Sequence, residues 1–217
     1  MIRCMKLYSY YRSSSAFRVR IALNLKGLAC EQITVNLDTA EQLSDSYSAL
    51  NPQGRVPALL LEDGTVISQS MAILEWLEEA HPEPALLPNR ASERAHVRSL
   101  CQHIACDMQP LNNMSVVGYL KDDLAADTNA VQRWYTHWMH RGFAALEQAV
   151  AEGGGRYCHG DAHGLADCLL IPQVFNAYRF GVDMAPFPTV RAIYEHCNSL
   201  GAFIAANPAN QPDSPPA

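Results

Sequence analysis

Three prolines within seven residues, in His81-Pro82-Glu83-Pro84-Ala85-Leu86-Leu87-Pro88, fix how this chain can be divided. Proline has no N–H to give a helix or sheet, and it biases the residue before it away from helix. No regular element is expected to cross the stretch, and the hydrophobic pattern differs on its two sides. Before it, short β-prone runs alternate with apolar residues spaced four apart. After it, the apolar spacing is helical throughout. The expectation is an α/β domain over residues 5–84, a linker over 85–91 and an all-helical domain over 92–217.

The first part opens with an apolar run from Leu7 to Tyr11, then Ser13-Ser14-Ser15, then Phe17, Ile21 and Leu25 at helical spacing. Lys26-Gly27 supplies a helix stop. Glu31 to Asn36 reads as a strand, Glu41 to Ala49 as a weaker helix, and Ala58 to Glu62 as a strand. That strand meets Val66-Ile67 through Asp63-Gly64, the signal of a two-residue hairpin. Met71 to Glu79 is a third helical pattern. The order β-α-β-α-β-β-α implies a small mixed sheet with helices on both faces. Beyond the prolines, Ser92 to Met108, Val131 to Val150 and Leu165 to Phe180 are long helical runs. They are punctuated by Gly153-Gly154-Gly155 and Pro186-Phe187-Pro188. The tail from Asn207 to Ala217, rich in Pro, Asn and Asp, reads as loose or draped. Met1 to Cys4 read as a frayed lead-in to the first strand, with Met5 the natural start.

Composition excludes several function classes. The 217 residues carry 16 basic and 22 acidic side chains, a net charge of −6, with no basic cluster of the kind that binds nucleic acid. No apolar run has the length of a membrane span or a signal-peptide core. The 7 cysteines are odd in number and include no C-x-x-C pair. They read as reduced thiols of a cytoplasmic protein, not as a disulfide framework or zinc site. His159-Gly160-Asp161-Ala162-His163 matches no closed ligand set and reads as a loop, so no metal is expected.

Three junctions carry chemistry. Hydroxyls at the start of a helix satisfy its orphan N–H groups, and the same helix end attracts anions, a thiolate included. From these residues alone, Ser13-Ser14-Ser15 can be a plain cap or an anion site. Val56-Pro57, ahead of a strand, simply ends a loop when trans, but a cis bond would turn the Val56 backbone outward as a peptide-docking edge. Gln69-Ser70, ahead of the third helix, can be a cap or can hold a carboxylate with the helix amides.

Together these junctions resemble the glutathione-binding half of glutathione transferases. Ser13-Ser14-Ser15-Ala16-Phe17-Arg18-Val19-Arg20-Ile21-Ala22-Leu23 is similar to the S-S-C-x-x-R-V-R-I-A-L signature of their zeta class. Further matches run through Ala49-Leu50-Asn51-Pro52, Gln69-Ser70-Met71-Ala72-Ile73, Gln109-Pro110-Leu111-Asn112-Asn113, Gly160-Asp161, Ala166-Asp167, Pro172-Gln173-Val174, Asn176-Ala177 and Arg179-Phe180. The resemblance implies a thioredoxin-like N-terminal domain followed by a helical domain, glutathione as cofactor and a homodimer. It also implies a capping box at Asp167, with Gly164 where the family usually carries Ser or Thr. Ser15 stands where the family has cysteine, so chemistry that depends on that cysteine does not carry over. Gln109 stands where glutathione-dependent maleylpyruvate isomerases carry histidine.

The implied activity is cis–trans isomerisation of maleylacetoacetate to fumarylacetoacetate. Maleylpyruvate isomerisation, transfer to small α-halo acids and glutathione binding without turnover are the other readings. Reversible thiolate addition needs an ionised thiol, and a free thiol ionises near 8.5. Lowering that by roughly two pH units takes about 2.7 kcal/mol of preferential thiolate stabilisation. The resemblance makes Ser13 the main thiolate partner, with Ser14 and Ser15 supporting. It assigns the small dicarboxylate substrate to Arg12 and Arg179. Gln42, Gln53, Val56, Gln69, Ser70, Gln109 and Asn113 are implied glutathione contacts. Gln109 and Asn113 are four apart and share a face if helical. Arg18 and Arg20 divide between surface charges and, for Arg18, a site role.

Overall fold

The computed structural model describes residues 5–153 and 155–215. Cys4, the rest of the four-residue lead-in, Gly154 and the last two residues lie outside them. The chain forms two compact units: residues 1–86 with 198–217, and residues 87–197.

The first unit is built on a four-stranded sheet, β2-β1-β3-β4, from β1 (Lys6–Ser9), β2 (Glu31–Thr34), β3 (Ala58–Leu60) and β4 (Val66–Ser68). β1 runs parallel to β2 and antiparallel to β3, and β3 is antiparallel to β4. The parallel pair needs a crossover, which α1 (Ser14–Leu25) supplies. α1 is buried along every residue from Ala16 to Leu23 and packs against α3 (Ser70–Ala80) and α9 (Gly201–Ala206). A second cluster gathers Tyr10, Val35, Tyr47 and Val56, with Tyr8 and Leu50 against it. Tyr47 is contributed by α2 (Asp45–Leu50) and meets Tyr8 edge-on at 5.9 Å.

The β3–β4 turn is longer than the two residues expected. Leu61 N–H bonds Thr65 O at 2.8 Å and Gly64 N–H bonds Leu61 O at 3.1 Å, leaving Glu62, Asp63 and Gly64 in the loop. Gly64 takes φ +91°, which its missing Cβ permits, as in a type I turn closed by a glycine bulge. At the far end of α3, Lys26 Nζ lies 2.9 Å from Glu78 Oε2 and also donates to His81 O and Pro84 O. Both side chains are almost wholly buried, so the pair is completed by backbone groups of the proline stretch.

The tail differs from the loose end expected of the helical domain. Residues 198–217 group with the first unit, because Phe203 is fully buried and Gln211 is tied down on both sides. Gln211 Nε2 donates to Ala205 O and Asn207 O, and its Oε1 accepts from Gln32.

The second unit holds α4 (Ala91–Gln102), a π-helical turn (His103–Met108), a 3-10 turn (Gln109–Asn112), α5 (Met114–Asp122), α6 (Thr128–Gly153), α7 (Leu165–Arg179) and α8 (Pro188–Cys197). The expected helix to Met108 thus loses its regular period after Gln102. A Cβ on Gly142 would fall 2.4 Å from Met108 Cγ, so glycine there admits the buried Met108 side chain of the π turn. At the start of α7, Asp167 accepts Gly164 N–H at 2.8 Å and Cys158 N–H at 2.9 Å. One arm of the capping box is therefore present, and glycine cannot supply the other. Burial pushes the Asp167 carboxyl up, and the two N–H bonds oppose that shift.

Candidate active site

In the first unit Ser13 ends the β1–α1 turn and caps α1. Its N–H bonds Tyr10 O at 3.0 Å, and its Oγ accepts Ala16 N–H at 3.2 Å. The hydroxyl oxygen is thus engaged as acceptor while its proton remains available to a thiolate. Ser14 and Ser15 are the first two helical residues, and their N–H groups have no intrahelical acceptor. Cap and anion site therefore coincide: one donor hydroxyl and two amides at the positive end of a buried helix.

The turn before Ser13 is held by Arg20. Its guanidinium donates to Ser9 Oγ (3.0 Å), Tyr10 O (3.3 Å), Tyr11 O (3.0 Å) and Ala206 O (3.1 Å). Arg20 is 2% exposed, and burial pulls its pKa down to about 10, with Asp213 opposing the shift. Arg18, also 2% exposed, donates through Nη1 to Ser70 Oγ at 3.1 Å. Neither is a surface charge. The polar spacing of α1 points outward in a lone helix, but this helix is covered on all sides.

Ser70 begins α3, and its neighbour Gln69 is the N-cap at φ +72°, ψ 122°. A Cβ-bearing residue held there is strained by about 1–3 kcal/mol. The Gln69 side chain donates to Gln53 Oε1 at 2.6 Å. The first amides of α3, the Ser70 hydroxyl and the Arg18 cation converge on one helix start, a donor set suited to a carboxylate. The Val56-Pro57 bond is cis. Arg55 O, just before it, accepts from both Tyr47 OH and Asn51 Nδ2 at 2.7 Å. Among the described residues the Val56 N–H and C=O make no hydrogen bond, leaving both for an extended peptide. Burial pushes Tyr47 up to about 12, so it stays a donor at neutral pH. Gln42 lies half-buried in a 3-10 turn, with its Oε1 enclosed and unpaired.

Arg12 is not a free cation. It is ion-paired with Asp38 and also donates to Tyr10 OH, which in turn donates to Asp38 Oδ2 at 2.5 Å. Nothing in the sequence around Asp38 announces this pairing.

In the second unit, Arg179 ends α7, exposed, with its guanidinium 4.8 Å from the Phe180 ring centroid. Among the described residues it makes no ion pair. Gln109 begins the 3-10 turn, and Asn113 has extended backbone (φ −69°, ψ 150°) as the N-cap of α5. The expected shared helix face is absent, because the helix has given way to π and 3-10 turns and Pro110 follows Gln109. Asn113 Oδ1 is committed to Ser115 N–H (3.1 Å) and Ser115 Oγ (3.0 Å), so only its Nδ2 remains for a ligand.

The donor sets at Ser13 and Ser70 fit the thiol and α-carboxylate of a glutathione-like peptide, with the Val56 backbone available to its amides. A family model for the glutathione S-transferase N-terminal domain matches residues 7–85. The maleylacetoacetate isomerase of Pseudomonas aeruginosa is 46% identical over 215 residues, covering 98% of this chain and 100% of the relative. The holo structure of a maleylpyruvate isomerase, a bacterial zeta-class glutathione S-transferase, is similar at a TM-score of 0.94 and 47% identity, covering 97% of this chain and 100% of that one. A maleylacetoacetate isomerase from Anaeromyxobacter dehalogenans, with bound dicarboxyethyl glutathione and citrate, is similar at a TM-score of 0.89 and 49% identity, covering 98% of both chains.

Proposed function

The chain belongs to the zeta class of the glutathione S-transferase family, and on that footing we propose that it is a glutathione-dependent cis–trans isomerase converting maleylacetoacetate to fumarylacetoacetate. Bound glutathione would supply a thiolate that adds reversibly to the cis double bond and is expelled after rotation. The single observation that carries the reading is Ser13, whose oxygen caps α1 while its proton is free to face a sulfur. The Ser14 and Ser15 amides add the helix-end potential, so the thiolate is favoured over the thiol. Ser70, the α3 amides and Arg18 hold the α-carboxylate; Gln69 and Gln53 hold the adjacent amine end. Val56 pairs with the peptide backbone. Gln42 and Gln109 are further contacts, and Asn113 contributes only its Nδ2.

Arg179, with no carboxylate partner among the described residues, is the cation for a substrate carboxylate and for charge developing on the carbonyl oxygen. Arg12 could take a substrate carboxylate only by leaving Asp38. Maleylpyruvate is the second reading, supported by the likeness to a maleylpyruvate isomerase at a TM-score of 0.94. Gln109, in place of that group's histidine, favours maleylacetoacetate.

Both substrates, presented with and without glutathione and followed by loss of enedione absorbance, test the proposal. Glutathione-dependent loss is expected, faster for maleylacetoacetate; none with either substrate would refute the isomerase. We place the enzyme in the cytoplasm as a homodimer. Sedimentation at twice the monomer mass is expected, and a monomer would overturn that part.

A further inference from the structure

The three-residue span between β1 and the Ser13 cap has little to hold it in its own sequence. Tyr10, Tyr11 and Arg12 lie outside the strand and the helix, yet they set where the Ser13 hydroxyl and the Ser14 and Ser15 amides point. Its backbone groups are satisfied mainly from far away. Arg20 takes the carbonyls of Tyr10 and Tyr11, and the Tyr11 N–H donates to Asp213 Oδ2 at 2.9 Å, across 202 positions of sequence.

Asp213 does not dangle. It lies in the segment fixed by Gln211, and Ser214 N–H bonds Gln211 O at 3.0 Å, closing a turn around it. The same segment begins at Ala206, whose carbonyl accepts from Arg20 Nε. The C-terminal strap thus reaches the turn twice, once through the buried cation and once directly through a carboxylate. The charges at this turn are Arg20, Arg12, Asp38 and Asp213; Arg12 and Asp38 are committed to each other, which leaves Asp213 facing Arg20.

We propose that Asp213 is a positioning residue for the thiolate site: by anchoring the Tyr11 amide it fixes the turn that aims the Ser13 hydroxyl and the first α1 amides at the glutathione sulfur. The carboxylate touches neither sulfur nor substrate. It acts through Tyr11, and the last residues of the chain become part of the active site's framework. This rests on the glutathione reading of the Ser13 site, but not on the isomerisation itself.

The test reads the ionisation of the glutathione thiol bound to the full-length protein, by its thiolate ultraviolet absorbance against pH, beside isomerase kcat and KM. Asp213→Ala removes the acceptor. It is expected to raise the apparent acid constant's pKa by about one, a tenfold loss of thiolate at a pH below it, with kcat falling more than KM for glutathione rises. Asp213→Asn keeps an oxygen for the Tyr11 N–H and is expected to restore most of the thiolate. Asn210→Ala loosens the same strap, by cutting a 2.7 Å bond to Ile204 O, without touching the turn. It is expected to leave the thiol unchanged.

The proposal is overturned if folded Asp213→Ala ionises glutathione as the parent does, or if Asn210→Ala shifts the thiol equally. Should Asp213→Ala not fold, hydrogen exchange at the Tyr11 amide of the parent protein decides. Protection like that of the neighbouring strand amides supports the anchor; exchange at the free rate overturns it. Thiol shifts without turnover of either maleyl substrate would refute the isomerase and keep the anchor. Turnover insensitive to Asp213 would do the reverse.

Discussion

Replacing Arg20 by methionine tests how the fold and the site are joined. The change keeps an unbranched apolar stem of similar reach and removes a cation that makes four hydrogen bonds, to Ser9, Tyr10, Tyr11 and Ala206. Each bond to a charged donor is worth about 1.5–3 kcal/mol. They do not simply add, because burying the guanidinium is itself costly, as its lowered pKa records. Leaving buried acceptors such as Tyr11 O and Ala206 O without a donor costs about 1–3 kcal/mol each, which together with Ser9 Oγ, and after the recovered cost of burying the cation, comes to about 3–5 kcal/mol. For a chain of this size that is a fall of roughly 6–20 °C in Tm. Urea denaturation gives the free energy, provided the slope matches the parent's. Arg20→Lys keeps the charge but cannot span Ala206 on one side and Tyr11 on the other, so it should recover only part of the loss. A fall within about 0.5 kcal/mol for Arg20→Met, the usual range of a surface substitution, would refute the assignment of Arg20 as the clamp of the β1–α1 turn.

Other outcomes follow from the same geometry. Gln69→Gly should relieve the positive φ and stabilise the protein by about 1 kcal/mol while weakening glutathione binding; calorimetry checks both signs, and lost stability would mean Gln69 is unstrained. Asp38→Asn should free Arg12 and lower KM for the dianionic substrate severalfold with little change for glutathione; an unchanged KM would remove Arg12 from substrate binding. Alkylation of the native protein at neutral pH should mark the exposed Cys106 and spare Cys158, Cys168 and Cys197 until unfolding, because burial hides those thiols and pushes them up. Mass spectrometry of the labelled peptides shows which were reached.

What was legible in the sequence was what is local. The serine junction carries its geometry in a few neighbouring residues, and Ser13 caps α1 there; Gly64 marks a turn in the same local way, though the loop is one residue longer than the two expected. Arg18 and Arg20 were not legible as buried, because their partners are Ser70 and Ala206 and a helical spacing rule assumes one wet face. The tail's polar, proline-rich composition says nothing of Asp213 finding an amide near the other end of the chain. Spacing alone does not place Gln109 and Asn113, because the same-face rule presumes a regular α-helix and the π turn beside Gly142 breaks the period just before them. Asp38 paired with Arg12 is a tertiary fact that no spacing encodes.

We infer that the Ser13 hydroxyl holds glutathione as a thiolate while capping α1. Spectroscopic titration of the bound thiol in the parent and in Ser13→Ala addresses it most directly, with stability measured on the same samples. The parent's bound thiol is expected to ionise roughly two pH units below the free value, near 6.5 against about 8.5. Ser13→Ala should return it most of the way and cost about 1 kcal/mol of stability for the lost cap. A bound thiol that titrates like free glutathione in the parent, or one that stays lowered without the Ser13 hydroxyl, would contradict it.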